Sequence, residues 1–250
     1  MKIPSRAVFA AAQISAVQGN IEANIAAHMN AMEAAVKEGV EVLVFPELSL
    51  TGYELALGGK LQVEISDPIF SPLQAYAAEH NMLTIMGMPI KAVRGNPYIG
   101  AVILGGVGPR FYAKKHVHES EAHYFQSGED YLITQHKGYN VGIAVCADLT
   151  HEDHAVDLKK RGADIYACGA LVTEAAFIRE ETMLQGYASD HNMVVIFSNY
   201  SGKNGIYPTA GKSSIWAAGG DLVAQACGNN NELIIAQFCN DNWRTKTLPL

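Results

Sequence analysis

A cysteine, a glutamate and a lysine each lie where the sequence predicts that a strand ends, and together they could perform nucleophilic catalysis. Cys146 follows the apolar run VGIAV, Glu47 follows VLVFP, and Lys114 lies in the stretch YAKKH. A thiol must lose its proton before it attacks a carbon atom, and a neighbouring carboxylate can accept that proton. An ammonium group that faces inward could stabilise the negative charge that develops on the substrate oxygen.

Each of these residues, taken alone, has a simpler structural interpretation. A cysteine after an apolar run usually packs as a small hydrophobic side chain. Glu47 could cap a helix or lie in a solvated loop, and Lys114 and Lys115 could both lie on a solvated edge strand. Because side chains alternate along a strand, one of the two lysines is expected to face inward. The order and spacing of the three stretches therefore decide between chemistry and packing.

Three stretches of the sequence together resemble the signatures of one enzyme family. FPELSLTGYE, YAKKHVHESE and GIAVCADL follow one another in the order and at the separations typical of the nitrilase, or carbon–nitrogen hydrolase, family. The resemblance covers nearly the whole chain, including the opening strand that ends in Gln13 and the later stretch SNYSG. It implies an α/β fold, the four-layer α-β-β-α sandwich of the carbon–nitrogen hydrolases, formed by a single domain over residues 1–250.

The resemblance also implies a role for each of the three residues. Glu47 corresponds to the general base, Lys114 to the ammonium group that stabilises the oxyanion, and Cys146 to the nucleophile. Lys114 is chosen over Lys115 because the family's lysine stands two residues before a histidine, which here is His116.

Further site residues are assigned by the same resemblance. Many members of the family carry a second glutamate after the lysine, and Glu121 is our prediction for it, with Glu119 as the alternative. The backbone N–H of Ala147 is expected to complete the oxyanion hole. The residues expected to contact the substrate are Tyr53, Ala147, Asp148 and His151.

The loop after the cysteine departs from the family pattern. The family often continues with an aromatic residue, proline and glutamate, whereas this chain reads CADLTHEDHA and has no proline there. The polar run from His151 to His154 predicts a substrate with a polar or charged end, because an apolar substrate would strip water from these groups without replacing their hydrogen bonds. Its carboxylates favour a cationic end, a preference that one pocket Arg or Lys would reverse.

These observations predict a thiol amidohydrolase that cleaves a non-peptide C–N bond of a small linear amide or N-carbamoyl compound through a thioester on the cysteine. One alternative is a nitrilase acting on C≡N, although Ala147 stands where such enzymes are expected to carry Trp. A second is a catalytically silent binding or regulatory subunit of the same fold. A third is a glutaminase that supplies ammonia to a separate synthetase subunit.

Composition excludes several classes of partner. The formal net charge of −7 and the single basic cluster at 159–161 disfavour a nucleic acid or an anionic membrane as partner. Four cysteines without a C-x-x-C pair indicate reduced thiols and a cytoplasmic protein. The apolar run at 7–12 is too short for the core of a signal peptide. The resemblance further implies a homodimer or larger homo-oligomer.

No cofactor or metal is predicted. Five histidines lie near the three stretches, but they lack the H-E-x-x-H spacing of a zinc site. GIYPTAGKS has five residues between its glycines, not the four of a phosphate-binding loop, and no helix is predicted after it.

Hydrophobic periodicity predicts alternating strands and helices, as in a helix-covered α/β sheet. The predicted strands cover 7–14, 40–47, 82–90, 98–105, 110–116, 139–148, 163–170 and 193–200, with further strands in the C-terminal part. The predicted helices cover 20–39, 72–81, 154–162 and 177–192.

Overall fold

The computed structural model describes residues 6–250 and contains fifteen strands and five α-helices in that range. The strands are β1 (Arg6–Gln13), β2 (Val42–Val44), β3 (Leu83–Ile90), β4 (Tyr98–Leu104), β5 (Arg110–Ala113), β6 (Ile133–His136), β7 (Tyr139–Val145), β8 (Ile165–Gly169), β9 (Val194–Ser198), β10 (Lys203–Asn204), β11 (Tyr207–Pro208), β12 (Ser214–Trp216), β13 (Leu222–Gln225), β14 (Glu232–Cys239) and β15 (Asn242–Pro249). The helices are α1 (Ile21–Lys37), α2 (Gly58–Leu61), α3 (Ser71–Glu79), α4 (Glu152–Lys160) and α5 (Glu174–Asp190).

Most of the strands form two mixed sheets. One has the order β15-β14-β1-β2-β3-β4-β5 and the other the order β13-β12-β9-β8-β7-β6. The strands β1, β2 and β3 are parallel, and so are β7, β8 and β9, whereas the other pairs in the two sheets are antiparallel. Parallel neighbours need a crossover connection, and α1, α3, α4 and α5 lie in these connections.

Alternation of side chains along the strands produces three apolar layers. Phe9 and Ile143 belong to the layer between the two sheets. Leu43 packs with α1 and α3 on the outer face of the seven-stranded sheet, and Phe197 packs with α4 and α5 on the outer face of the six-stranded sheet. The order is therefore helix, sheet, sheet, helix, and the predicted four-layer sandwich is confirmed.

The strand predicted at 40–47 is much shorter in the structure. Only Val42–Val44 pairs with its neighbours, and the chain then turns through 45–51 with Leu48 at φ +51°. Phe45, Leu48 and Leu50 stay buried in this turn. The apolar run at 40–47 therefore indicates that its side chains are buried, but it does not indicate how many of its residues pair in a strand. The strand β6 was not predicted, and α5 begins three residues before the predicted start.

The turn at 45–51 lies against glycines from both sheets. A β-carbon on Gly87 of β3 would overlap the backbone nitrogen of Leu48, and one on Gly169 of β8 would overlap the carbonyl oxygen of Phe45. The backbone N–H of Leu50 also donates to the carbonyl of Gly87 at 3.0 Å. Glycine at these two positions lets both sheets approach the turn that carries Glu47.

Replacing Gly87 with Ala should lower the free energy of unfolding by about 1–3 kcal/mol or more, because the new methyl group collides with backbone that cannot rotate away. Urea denaturation measures the change. Gly106→Ala is the control, since a β-carbon there meets nothing within 4 Å, and it should be nearly neutral. Equal stability of the two variants would contradict the close packing at Gly87.

Candidate active site

The backbone of Glu47 is held in place by buried groups from several elements. The hydroxyl of Tyr200 donates to the carbonyl oxygen of Glu47 at 2.6 Å. The hydroxyl of Ser49 accepts from the backbone N–H of Gly87 at 3.2 Å and contacts the ring of His28 at 2.9 Å. Glu47 itself is 1% exposed. The turn that carries the Glu47 carboxylate therefore has little freedom to move.

Lys114 forms an ion cluster with two glutamates in the interior. It follows β5, and its Nζ lies 2.7 Å from Glu47 Oε1 and 2.8 and 2.7 Å from the two carboxyl oxygens of Glu121. All three side chains are buried. Burial alone would lower the pKa of Lys114, but the negative charges of Glu47 and Glu121 outweigh it and raise the pKa above its usual value. Lys114 is therefore an ammonium group at any physiological pH.

The structure brings Glu121, and not Glu119, to this cluster. Glu119 is exposed, whereas Glu121 accepts hydrogen bonds from the hydroxyl of Tyr53 at 2.6 Å and from the backbone N–H of His118 at 2.8 Å. These donors satisfy the carboxylate oxygens that Lys114 does not fully satisfy. Lys115 lies outside the cluster, and its Nζ donates to the carbonyl of Glu129.

Glu47 has the electrostatic environment of a general base. Burial raises the pKa of its carboxyl to about 7, although Lys114 acts in the opposite direction. The nearby charge of Glu121 raises it further, and the Cys146 thiol is among the groups that lower it. A carboxyl group with a pKa near neutrality can accept a proton and return it at the same pH.

Cys146 is the first residue of a 3₁₀ helix, Cys146–Thr150, directly after β7. Its φ of +44° is unusual for a residue with a side chain and costs about 1–2 kcal/mol. Burial and the charge of Glu47 raise the pKa of its thiol, while Lys114 lowers it. The resting group is therefore a thiol that needs a base, and strained backbone of this kind is often found at functional sites.

Asp148, one of the predicted substrate contacts, is not among the residues that line the cavity. It is fully buried, and its carboxylate accepts hydrogen bonds from the backbone N–H groups of Val145 and His116, both at 2.9 Å, and from the hydroxyl of Tyr112 at 2.8 Å. These bonds tie the end of β7 to the segment that carries Lys114. Asp148 therefore holds the turn on which the thiol is mounted.

His151, another predicted substrate contact, is also not among the residues that line the cavity. Its ring stacks on His116 with centroids 3.9 Å apart, and its Nδ1 lies 2.9 Å from the carbonyl oxygen of Ala147. Glu152 and Asp153 are exposed at the start of α4, and His154 is buried beside Tyr112. None of the four residues of the polar run from His151 to His154 lines the cavity.

A cavity of about 330 Å³ opens beside the thiol. Of the predicted substrate contacts, Tyr53 and Ala147 line it. The other lining residues are His118, Ser120, Glu121, Cys146, Thr150, Leu171, Val172, Thr173, Ala176, Arg179, Glu180 and Tyr207. Within residues 6–250, no group of three or more His, Cys, Asp or Glu side chains could hold a metal ion.

Arg179 and Glu180 are two charged residues of the cavity lining that the sequence analysis did not assign to the site. Glu180 lies in α5 on the same buried face as Phe177, Leu184 and Tyr187, at the spacing of three and four residues that marks one side of a helix. A glutamate at a core-facing position of an amphipathic helix is the signal that could have identified it.

Comparison with known proteins agrees with this architecture. Residues 9–245 match the family model described as "Carbon-nitrogen hydrolase". A "Hydrolase in pqqF 5'region" from Pseudomonas protegens is 29% identical over 226 residues, which cover 88% of this chain and 76% of that protein. An N-carbamoylputrescine amidase from Solanum tuberosum is 23% identical, with 97% of this chain and 89% of that protein covered.

Other similar proteins are longer or share mainly the fold. A glutamine-dependent NAD(+) synthetase from Acinetobacter baylyi is 23% identical over 96% of this chain, which spans only 45% of that protein. Among solved structures, the NitN amidase from Neterenkonia sp. AN1 superposes with a TM-score of 0.83, at 20% identity, over 92% of this chain and 91% of that chain. Nit3 from Saccharomyces cerevisiae superposes with a TM-score of 0.86, at 19% identity, over 94% and 90%.

No α-helix within residues 6–250 combines the length and the apolar composition needed to cross a membrane.

Replacing Lys114 with Met should lower the free energy of unfolding by about 3–5 kcal/mol near neutral pH, because two carboxylates would stay buried without their ammonium partner. The loss should shrink as the pH falls, since both carboxyls can then take up protons. Urea denaturation at neutral and acidic pH measures it. Lys115→Met, the control at a partly exposed position, should change stability little; equal losses for the two variants would rule out the buried cluster.

Proposed function

Because the chain belongs to the carbon–nitrogen hydrolase family, we propose that it cleaves a non-peptide C–N bond of a small linear amide or N-carbamoyl compound through a thioester on Cys146. One observation carries the proposal: a thiol lines a cavity of about 330 Å³ and interacts with a buried carboxyl whose pKa is about 7. The same carboxyl is bonded to a buried ammonium group, that of Lys114. A base, a nucleophile and a fixed positive charge are thus adjacent.

The first half of the reaction forms the thioester. Glu47 takes the proton of the Cys146 thiol while the sulfur forms a bond to the carbonyl carbon of the substrate. The negative charge that develops on the oxygen is stabilised by Lys114 and by the backbone N–H of Ala147. The C–N bond then breaks, and the leaving amine or ammonia takes the proton from Glu47.

The second half of the reaction returns the enzyme to its starting state. Water attacks the thioester carbon and gives a proton to Glu47. The same positive charge of Lys114 stabilises the second oxyanion. The C–S bond then breaks, the acid product leaves and the thiol recovers its proton. The carboxyl of Glu47 therefore gives and takes a proton twice in each cycle, which its pKa near neutrality favours.

Substrate class can be identified by ammonia release from a panel of ω-amides, N-carbamoyl amines, aliphatic amides, glutamine and nitriles. The proposal expects turnover of an amide or an N-carbamoyl compound. Turnover of nitriles alone would favour the nitrilase alternative, and preference for glutamine would favour the glutaminase alternative. A well-folded protein that binds these compounds without turning any of them over would favour the silent subunit.

Cys146→Ala should lower kcat by about 10,000-fold or more while the protein stays folded, because the attacking sulfur is lost. Cys227→Ala is the matched control, since this thiol is exposed and far from the cavity lining, and it should keep wild-type kcat. Rapid quenching followed by intact mass measurement should detect an acyl adduct in the control but none in Cys146→Ala. Full activity of Cys146→Ala would refute the mechanism.

Below a pH of about 7, kcat/KM for an uncharged amide should fall about tenfold for each unit of pH, because Glu47 must be ionised to accept the thiol proton. Glu180 also has a pKa raised to about 7 by burial. The pH profile is therefore measured in the wild type and in Glu180→Gln, and the acidic limb should persist in both. If the acidic limb disappeared in Glu180→Gln, the limb would belong to Glu180, and its assignment to Glu47 would be refuted.

A further inference from the structure

Glu180 is a carboxyl group in the cavity wall without a close partner. Its side chain lies among Leu171, Val172 and Ala176, which also line the cavity, and the residue is only 8% exposed. Within residues 6–250, its charged contact is Arg179, whose Nη2 is 3.9 Å from Oε1 and thus beyond hydrogen-bond distance. A buried carboxylate without a hydrogen-bond partner costs stability unless something else supplies one.

The charges around the cavity favour a cation as that partner. Lys114 directs its hydrogen bonds to Glu47 and Glu121, so its positive charge is shared among three carboxyl groups. The side chain of Arg179 is 72% exposed, and water therefore screens its charge. The buried carboxyl groups beside the thiol thus number three, Glu47, Glu121 and Glu180, against one buried ammonium group, that of Lys114, and the carboxyls outnumber the cation.

We propose that Glu180 binds the protonated amine at the far end of an ω-amino amide or ω-amino N-carbamoyl substrate. The proposal rests on the proposed function, because it needs the scissile carbonyl carbon to lie at Cys146. Cys146 and Glu180 line the same cavity of about 330 Å³, so one short substrate could reach both groups. An ammonium group would donate hydrogen bonds to a carboxylate that the protein leaves unpaired.

Two other kinds of substrate end fit the cavity less well. A carboxylate would approach Glu121 and Glu180, and the repulsion in a site with little water would oppose the attraction of the exposed Arg179. An alkyl end would remove the remaining water from Glu180 without replacing its hydrogen bonds. The sequence analysis based the preference for a cationic end on residues 151–154. In the structure we attribute that preference to Glu180 of α5.

Three matched series of amides test the proposal. The first contains ω-amino amides from 3-aminopropanamide to 6-aminohexanamide, the second the alkyl amides in which a methyl group replaces the ammonium group, and the third the corresponding ω-carboxylates. The wild type should have its highest kcat/KM on an ω-amino amide. Glu180→Gln should lower the ratio of kcat/KM for that compound over its alkyl analogue by about 10- to 100-fold, mainly through KM, because a charge-assisted hydrogen bond is lost.

Glu181→Gln is the control for the change in charge. Glu181 is on the same helix but accepts a hydrogen bond from Gln225 and does not line the cavity. This variant should keep the wild-type ratio. A ratio unchanged in Glu180→Gln, or a wild-type preference for ω-carboxylates, would overturn the proposal, and the latter would assign the specificity to Arg179.

A binding measurement separates this proposal from the proposed function. Calorimetric titration of Cys146→Ala with the ω-amino amide, in two buffers of different ionisation enthalpy, measures the protons released. The pKa of Glu180 is raised to about 7, and an ammonium partner lowers it, so binding near neutral pH should release protons. The double variant Cys146→Ala, Glu180→Gln should bind more weakly and release fewer protons. If the wild type hydrolyses no amide, the proposed function fails, but proton release on binding still tests the role of Glu180. Equal proton release by Cys146→Ala and by the double variant would refute that role.

Discussion

The site depends on one ammonium group, that of Lys114, which neutralises carboxylates in the buried interior. If Lys114 were absent, Glu47 and Glu121 would repel each other and take up protons, and neither could then act as a base. With Lys114 present, Glu47 keeps a pKa of about 7, between that of a solvated carboxyl and that of a buried unpaired one. The same ion pair that permits the carboxylates to be buried also sets the pKa that proton transfer requires.

This cluster in turn requires that its members be held by the two sheets and not by mobile loops. Glu47 is on a turn pressed between Gly87 and Gly169, one from each sheet. Asp148 fixes the end of β7 through the N–H of Val145, so that Cys146 leaves the strand in its left-handed conformation. The strain at Cys146 persists because the surrounding structure holds its backbone, which is the usual condition for such a conformation.

Much of this site could be predicted because its charged residues adjoin strands that are visible as apolar runs. Glu47 was located in this way, whereas Lys114 was chosen over Lys115, and Glu121 over Glu119, from the family resemblance; the three side chains lie together in the structure. The side chains after the cysteine were harder to place, because successive side chains in a 3₁₀ helix point in different directions. Ala147 lines the cavity, whereas the carboxylate of Asp148 bonds to the end of β7. The homo-oligomer, the single domain over 1–250 and the cytoplasmic location stay predictions.

The proposed chemistry and part of the cavity wall come from different layers of the sandwich. Cys146 and the ion cluster belong to the sheets and their edges, while Ala176, Arg179 and Glu180 are on α5, an outer helix. Substitutions at these positions would remodel what the cavity accepts without disturbing the packing between sheets. Proteins with this fold can therefore change their substrate by substitutions on the cavity-facing side of α5, while the residues proposed for the covalent step stay the same.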